Sequence, residues 1–512
     1  MDLGNLQSLA GQEVPVGDLV ELNKALRKAA GSGGWSGNPG QANVGFPDQG
    51  APGGVGGAAE ELQALVPQSI QNTLDTATYT ESAIQLWKMM TKVPVTSTLH
   101  ETVRVNEYGS MGLDPWLAEG AGGTNSLGEY ERLIVKVKYL AERREISDVA
   151  TMVGAIGYQG VSRGVLAQQT TDGTRALLGK LERALFNGDS DLTSLGFDGL
   201  RKQILGTTWG TDVGDGYETI ANTGNYTNKA GANLSPQDLI DTLYETFAAP
   251  NFGMVNSILV EPRVFGSLVQ VATAHGRFDQ ISTASNQLLF GADGLKIAGP
   301  GGLVPVISCP LMQHPDTQIS AVQGTENTTV SAAGLDLVPT AETTVGTSRW
   351  TAADAGTYHY ALTLVSDNGA TPVDMHATDG ILVAAGKSVK FDIADGIAES
   401  GATGRYYRVF RSAKGGGVGG TKKWIGNWPV NTSGSGTNTS IIDNNDRQPG
   451  CSSVYFLQNT PDVMYWAQML DFLRRPLAQV NTTIPFLLML FGTPHVKVPG
   501  KNFIIDNVNP NL

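Results

Sequence analysis

Cysteine is scarce: Cys309 and Cys451 are the only two in 512 residues. They supply neither a disulfide framework nor the ligand spacing of a zinc site, and they fit an intracellular, reducing origin. Long apolar runs are also lacking. Although 41% of the residues are hydrophobic, no run approaches the roughly 18 residues needed to cross a bilayer, so a soluble, folded protein is expected. The opening MDLGNLQSLAGQEVPVGDLVEL has no basic start followed by an apolar core, and no signal peptide is expected. The sequons at Asn225, Asn327 and Asn481 then read as accidents. Basic charge is in deficit, with 35 Lys and Arg against 48 Asp and Glu and a net charge of -13. That balance argues against gripping nucleic acid through a general basic surface.

Catalytic and cofactor signatures are missing as well. The histidines, His100, His275, His314, His359, His376 and His495, are scattered, and none lies four residues from another to hold a metal on one helix face. Solitary structural histidines are expected. No GxSxG elbow occurs, and neither cysteine has a nucleophile context. GILVAAGKSVKF, from Gly380, resembles a phosphate loop but has five residues between its glycines and leads into a strand, not a helix. GVGGAA, after Gly54, has no strand before it. Neighbouring carboxylates such as Glu60 and Glu61 point to different sides of a helix. No catalytic, cofactor or metal residue is assigned.

What is plentiful is glycine, 64 residues of it, concentrated in particular stretches. Residues 16–30 place Leu19, Leu22 and Leu26 on one stripe of a short amphipathic helix. Residues 31–57, rich in Gly and Pro, read as an extended arm. A helical stretch broken at Pro67 follows, then a run with Ile84, Trp87 and Met90 at spacings of three. Residues 102–108 and 133–139 alternate as strands. The glycine-rich stretch between them is far too long for an ordinary hairpin loop of two to five residues. Such a hairpin is expected to lie on another subunit.

From Tyr158 to Asn187 the pattern predicts a long helix with Leu177, Leu178, Leu181 and Leu185 as its packing stripe, ended by Asn187-Gly188. The acidic turns after it, with Asp189, Asp191 and Asp198, lack the spacing of a calcium loop and read as turn punctuation. A helix at 236–248, a buried strand Ser257–Val260 and a helix opened by Pro262 form an α/β unit. Residues 464–477 are helical in pattern, and the C-terminal stretch is strand-rich. Between 322 and 450 helix patterns vanish, and alternating runs suit a β-sandwich of immunoglobulin or fibronectin type.

The succession of a sparse arm, a glycine-tipped hairpin, the helix ending ERALFNGD, the following LGFDGL, the SILVEPRVF unit and the terminal strands resembles the major capsid protein of tailed double-stranded DNA phages. ALFNGDSDLTSLGFDGLRKQI resembles the corresponding segment of myovirus-type phages most strongly. The resemblance implies an α+β, HK97-like capsid fold carrying an inserted all-β domain. Its parts would be residues 1–96 as N-terminal helix, arm and helices, 97–140 as extended loop, and 141–235 as a peripheral domain with spine helix 158–187. An axial domain would follow at 236–321, then the insertion at 322–450, the axial return at 451–480 and peripheral strands at 481–512. It implies hexamers and pentamers in an icosahedral virion shell, made in the host cytoplasm and enclosing DNA without sequence-specific binding. Scaffold, portal and decoration proteins would be partners, with no cofactor and no membrane. Candidate inter-subunit contacts are Trp35, Phe46, Leu113, Trp116, Leu117, Glu119, Glu129 and Arg132, with Trp116 and Leu117 as hairpin anchors. Rival readings are a phage tail component or surface adhesin with an immunoglobulin-like binding domain, and a β-rich hydrolase.

Overall fold

In the computed structural model the described residues are 5–7, 13–15, 78–79, 81–109, 116, 119–120, 127–148, 164–193, 195–205, 225–275, 295–312, 318–319, 339–342, 348–366, 369–370, 374–375, 380–394, 406–417, 420–430, 438–479 and 482–510. The chain divides into two units, Met1–Leu74 and Asp75–Leu512. The first contributes an antiparallel ribbon of Asn5–Gln7 with Glu13–Pro15. The helix expected over 16–30 and the arm with Trp35 and Phe46 lie outside the described residues.

The second unit is organised around the helix Gly164–Asn187. Residues 158–163 of the expected helix lie outside the described residues. Leu177, Leu181 and Leu185 are buried and Leu178 packs beside them. Each fully buried leucine contributes about 1.5–3 kcal/mol. They meet Ile84, Trp87 and Met90, which share one core although the helix there is only Leu86–Met89, preceded by the 3-10 turn Glu81–Ala83. Glu182 explains why so short a helix holds. Its buried carboxylate accepts from the backbone N–H groups of Gln85, Leu86 and Trp87 at 3.0, 2.7 and 2.9 Å, partners that a first helical turn lacks on its own.

Two sheets flank this core. One runs in the order Lys92–Pro94, Met464–Pro476, Thr483–Val496, Lys138–Ser147. The helix expected over 464–477 is therefore a strand. Its residues Met464 to Ala467 are all buried, as a strand covered on both faces is, and the alternation that identifies a strand appears only farther along. The second sheet has the order Tyr226–Asn228, Phe503–Val508, Ser452–Leu457, Ser257–Val260, Gly302–Ser308, Leu295–Gly299. Ser257–Val260 is buried throughout, and helices Pro236–Phe247 and Pro262–His275 share its core. The former begins with a capping box between Ser235 and Asp238.

An all-β part follows. Strands Gln318–Ile319, Lys422–Pro429, Tyr406–Ser412, Tyr360–Ser366 and Gly369–Ala370 make one sheet, joined by Asp374–Met375, while Pro339–Glu342, Ser388–Ala394 and Asn438–Asp443 make another. Both contribute to a separate core that includes Tyr360, Leu362, Val389, Val409 and Ile441. Beside it the buried Arg411 donates to Asp443 at 2.6 Å and lies over Trp350 at 4.6 Å. Tyr360 donates to the same carboxylate at 2.8 Å, so the charge pair is supported from both sides.

Candidate functional site

The expected hairpin exists, with strands Leu99–Glu107 and Glu129–Lys136 in antiparallel register. Alternation gives it two unlike faces. The row of His100, Thr102 and Arg104 turns toward the chain's own body. His100 Nε2 lies 2.7 Å from Tyr465 Oη, Thr102 Oγ1 lies 3.1 Å from His495 Nε2, and Arg104 donates to the Lys497 carbonyl at 2.9 Å. Burial pushes His495 down to about 4, and His100, Lys497 and Arg104 nearby push the same way. Burial pushes Tyr465 up to about 12.

The expectation that the whole hairpin lies on another subunit needs correction at its base, where polar partners hold one face at home. The scattered histidines need correction too, because His100 and His495 converge on Tyr465. Nothing in the spacing could have joined residues so far apart in sequence. The alternating polar row was the one available signal.

The outer face is different. Leu99, Val103 and Val105 pair across the ladder with Lys136, Arg132 and Tyr130, and Ile134 sits opposite Glu101. Val103 is 62% exposed, Tyr130 68% and Ile134 59%. Arg132 forms an ion pair with Glu101 within this row, and Lys136 stands at its end opposite Leu99. Toward the tip, Trp116 is 86% exposed, with Tyr108 and Leu127 also exposed. Glu119 and Glu129 are exposed, and Glu129 stands opposite Glu107. Leu113 and Leu117 lie outside the described residues. The outer face thus interleaves exposed apolar side chains with Glu101, Arg132 and Lys136, a mixed composition of the kind that non-obligate contact surfaces share.

The acidic turns resolve as structure. Lys202 Nζ sits among Asp189, Asp191 and Asp198 at 2.6, 2.7 and 3.0 Å. Burial works against its charge, but the three carboxylates outweigh that and raise its pKa. An ammonium thus occupies the place a metal would take, and the spacing of four from Asp198 to Lys202 could have revealed it. Among the described residues no group of three or more His, Cys, Asp or Glu is arranged to hold a metal. Burial raises the thiol pKa of both Cys309 and Cys451, which keeps them protonated. Among the described residues no helix is long and apolar enough to cross a membrane.

No family model matches the chain. A segment of 69 residues is 35% identical to a provisionally assigned major capsid protein of Enterococcus phage phiEF24C, covering 14% of this chain and 15% of that one. Among solved structures, the capsid of a native GTA particle covers 88% of this chain and 98% of its own, at 10% identity and a TM-score of 0.45. The capsid of Myoviridae phage XM1 covers 89% and 100%, at 9% identity and a TM-score of 0.39. These relatives and neighbours are structural capsid proteins, not enzymes.

Proposed function

We propose that this protein is the major capsid protein of a tailed phage, with an HK97-like fold, assembling into hexamers and pentamers of an icosahedral shell around double-stranded DNA. The observation that carries this reading is the hairpin: docked at its base by polar contacts, it leaves the outer row Leu99, Val103, Val105, Tyr130 and Ile134 uncovered. A neighbouring copy is the natural cover for such a row. The segment shared with a phage capsid protein supports the same reading. The long core helix supports the spine expected at 158–187, and the sheet of Ser257–Val260 supports an axial part, with the strands exchanged between them: Tyr226–Asn228 and Phe503–Val508 lie in that sheet, and Met464–Pro476 lies in the other.

In this reading residues 322–450 are an immunoglobulin-like insertion decorating the outer surface, supported by the separate all-β core. Scaffold, portal and decoration proteins would be further partners. An acidic shell suits DNA brought in by other means, since it has no need to attract it. The test is electron microscopy and sedimentation of the protein expressed alone and with a scaffold. Closed shells or capsomers are expected, and Trp116→Ala should weaken particles while leaving the subunit's circular dichroism unchanged. A strictly monomeric product at all concentrations would end the reading.

A further inference from the structure

The all-β part leaves the α/β sheet and returns to it without extending it: among the described residues no strand of the one pairs with a strand of the other. Toward the helix Gly164–Asn187 a cavity of about 550 Å³ lies between the two, with Tyr406, Trp424 and Asn427 on the all-β side. Parts of a chain joined through so little shared structure move against each other unless something else holds them.

What holds them is the returning turn 443–448, DNNDRQ, which is gripped from both sides. On the all-β side the buried Arg411 donates from Nη1 to Asp443 Oδ2 at 2.6 Å, and from Nη2 to Asn445 Oδ1 at 2.6 Å and the Arg447 carbonyl at 3.1 Å. On the body side the buried Asn507 takes the other end. Its Nδ2 donates to the Asp446 carbonyl at 2.6 Å, and its Oδ1 accepts from the Gln448 N–H at 2.8 Å. Asn507 is itself anchored in the body, through Nδ2 to Asn228 Oδ1 at 2.9 Å and through its carbonyl to the Gly231 N–H at 2.8 Å. Arg349 ties in from a third direction, its Nε 3.2 Å from Asp446 Oδ1 and its guanidinium 6.0 Å from the centre of the Tyr226 ring. Apolar surfaces can slide over one another, whereas buried hydrogen bonds are directional and costly to leave unmet, so a tilt of the all-β part would break several at once.

We infer that this turn is a rigid joint that carries the all-β part at one fixed orientation on the body, with Asn507 and Arg411 as its positioning residues. A surface presented at a fixed angle has less freedom to lose when it meets a partner. The joint belongs to the single subunit and goes beyond the shell reading without depending on it.

The test measures orientation directly. Spin labels are placed at Leu303→Cys in the body and Leu382→Cys in the all-β part, both 71% exposed, while Cys309 and Cys451 are buried and out of reach. Pulsed electron paramagnetic resonance on unassembled subunits, or on labelled subunits diluted into unlabelled ones, should give one narrow distance distribution. Asn507→Gly removes both grips and keeps the left-handed backbone that residue 507 adopts at φ 54°, and it should widen the distribution by about twofold or more. Asn507→Asp keeps the acceptor for Gln448 but loses the donor to Asp446, and should widen it less. In Asn507→Gly the Gln448 amide should also exchange about three- to tenfold faster, as loss of one hydrogen bond allows, with Ser257–Val260 still protected. A broad distribution in the labelled chain with Asn507 intact, or an unchanged width in Asn507→Gly, would overturn the joint. Equal loss of protection in Ser257–Val260 would do so too, by making Asn507 a residue of general stability. Failure to form shells alters none of these readouts and would count against the shell reading alone.

Discussion

Gly492 shows how tightly single positions are set. A Cβ there would overlap the indole of Trp466, which is fully buried and meets Trp87 edge-on at 4.9 Å and Phe197 at 5.8 Å. The ring has no direction in which to yield, so Gly492→Ala should destabilise the unassembled subunit by about 1–3 kcal/mol. Thermal unfolding checks this, and an unchanged midpoint would mean that the ring pair repacks without cost. Legibility at this scale depended on partners. The three carboxylates Asp189, Asp191 and Asp198 were visible in the sequence, and their reading as turns agrees with Lys202 lying among them. The role of Glu182 was not visible, because its three backbone partners lie 95 to 97 positions away.

The docked base of the hairpin makes a pH-dependent element. His495 has an ordinary value of 6.5 and is held near 4 when buried, so the folded state binds fewer protons than the unfolded chain between those values. The stability this gives is complete above 6.5 and is lost as pH falls through about 4. Hydrogen exchange over residues 99–107, corrected for intrinsic rates, should therefore rise between pH 7 and pH 4.5. His495→Gln should flatten that rise; an equal rise in the variant would assign the effect to other groups. Element recognition from sequence followed the clarity of the pattern. The helix Pro236–Phe247 was expected at 236–248 and proves to be capped by Ser235 and Asp238, whereas MYWAQML at 464–470 has no alternation until it leaves the covered part of its sheet. Apolar residues on both faces look alike to a helical and to an extended reading.

For the whole molecule, the proposed shell would make the outer row of the hairpin the place where folding and assembly separate. Val103→Lys with Ile134→Lys alters two exposed side chains, so subunit stability should change by no more than about 0.5 kcal/mol per site, while particle formation is lost. Particles at normal yield would show that this row faces solvent in the shell. The sheet order carries a separate consequence. Gly302–Ser308 runs parallel to Ser257–Val260 on one side, and Ser452–Leu457 runs antiparallel to it on the other. Ser308 pairs with Val260, and Tyr455 with Leu259. The chain therefore departs toward the all-β part and comes back at the same end of one sheet, two strand spacings apart, or about 10 Å. A gap that narrow works as a socket: a foreign module whose two ends lie equally near could be plugged in there while the sheet beneath keeps its pairing.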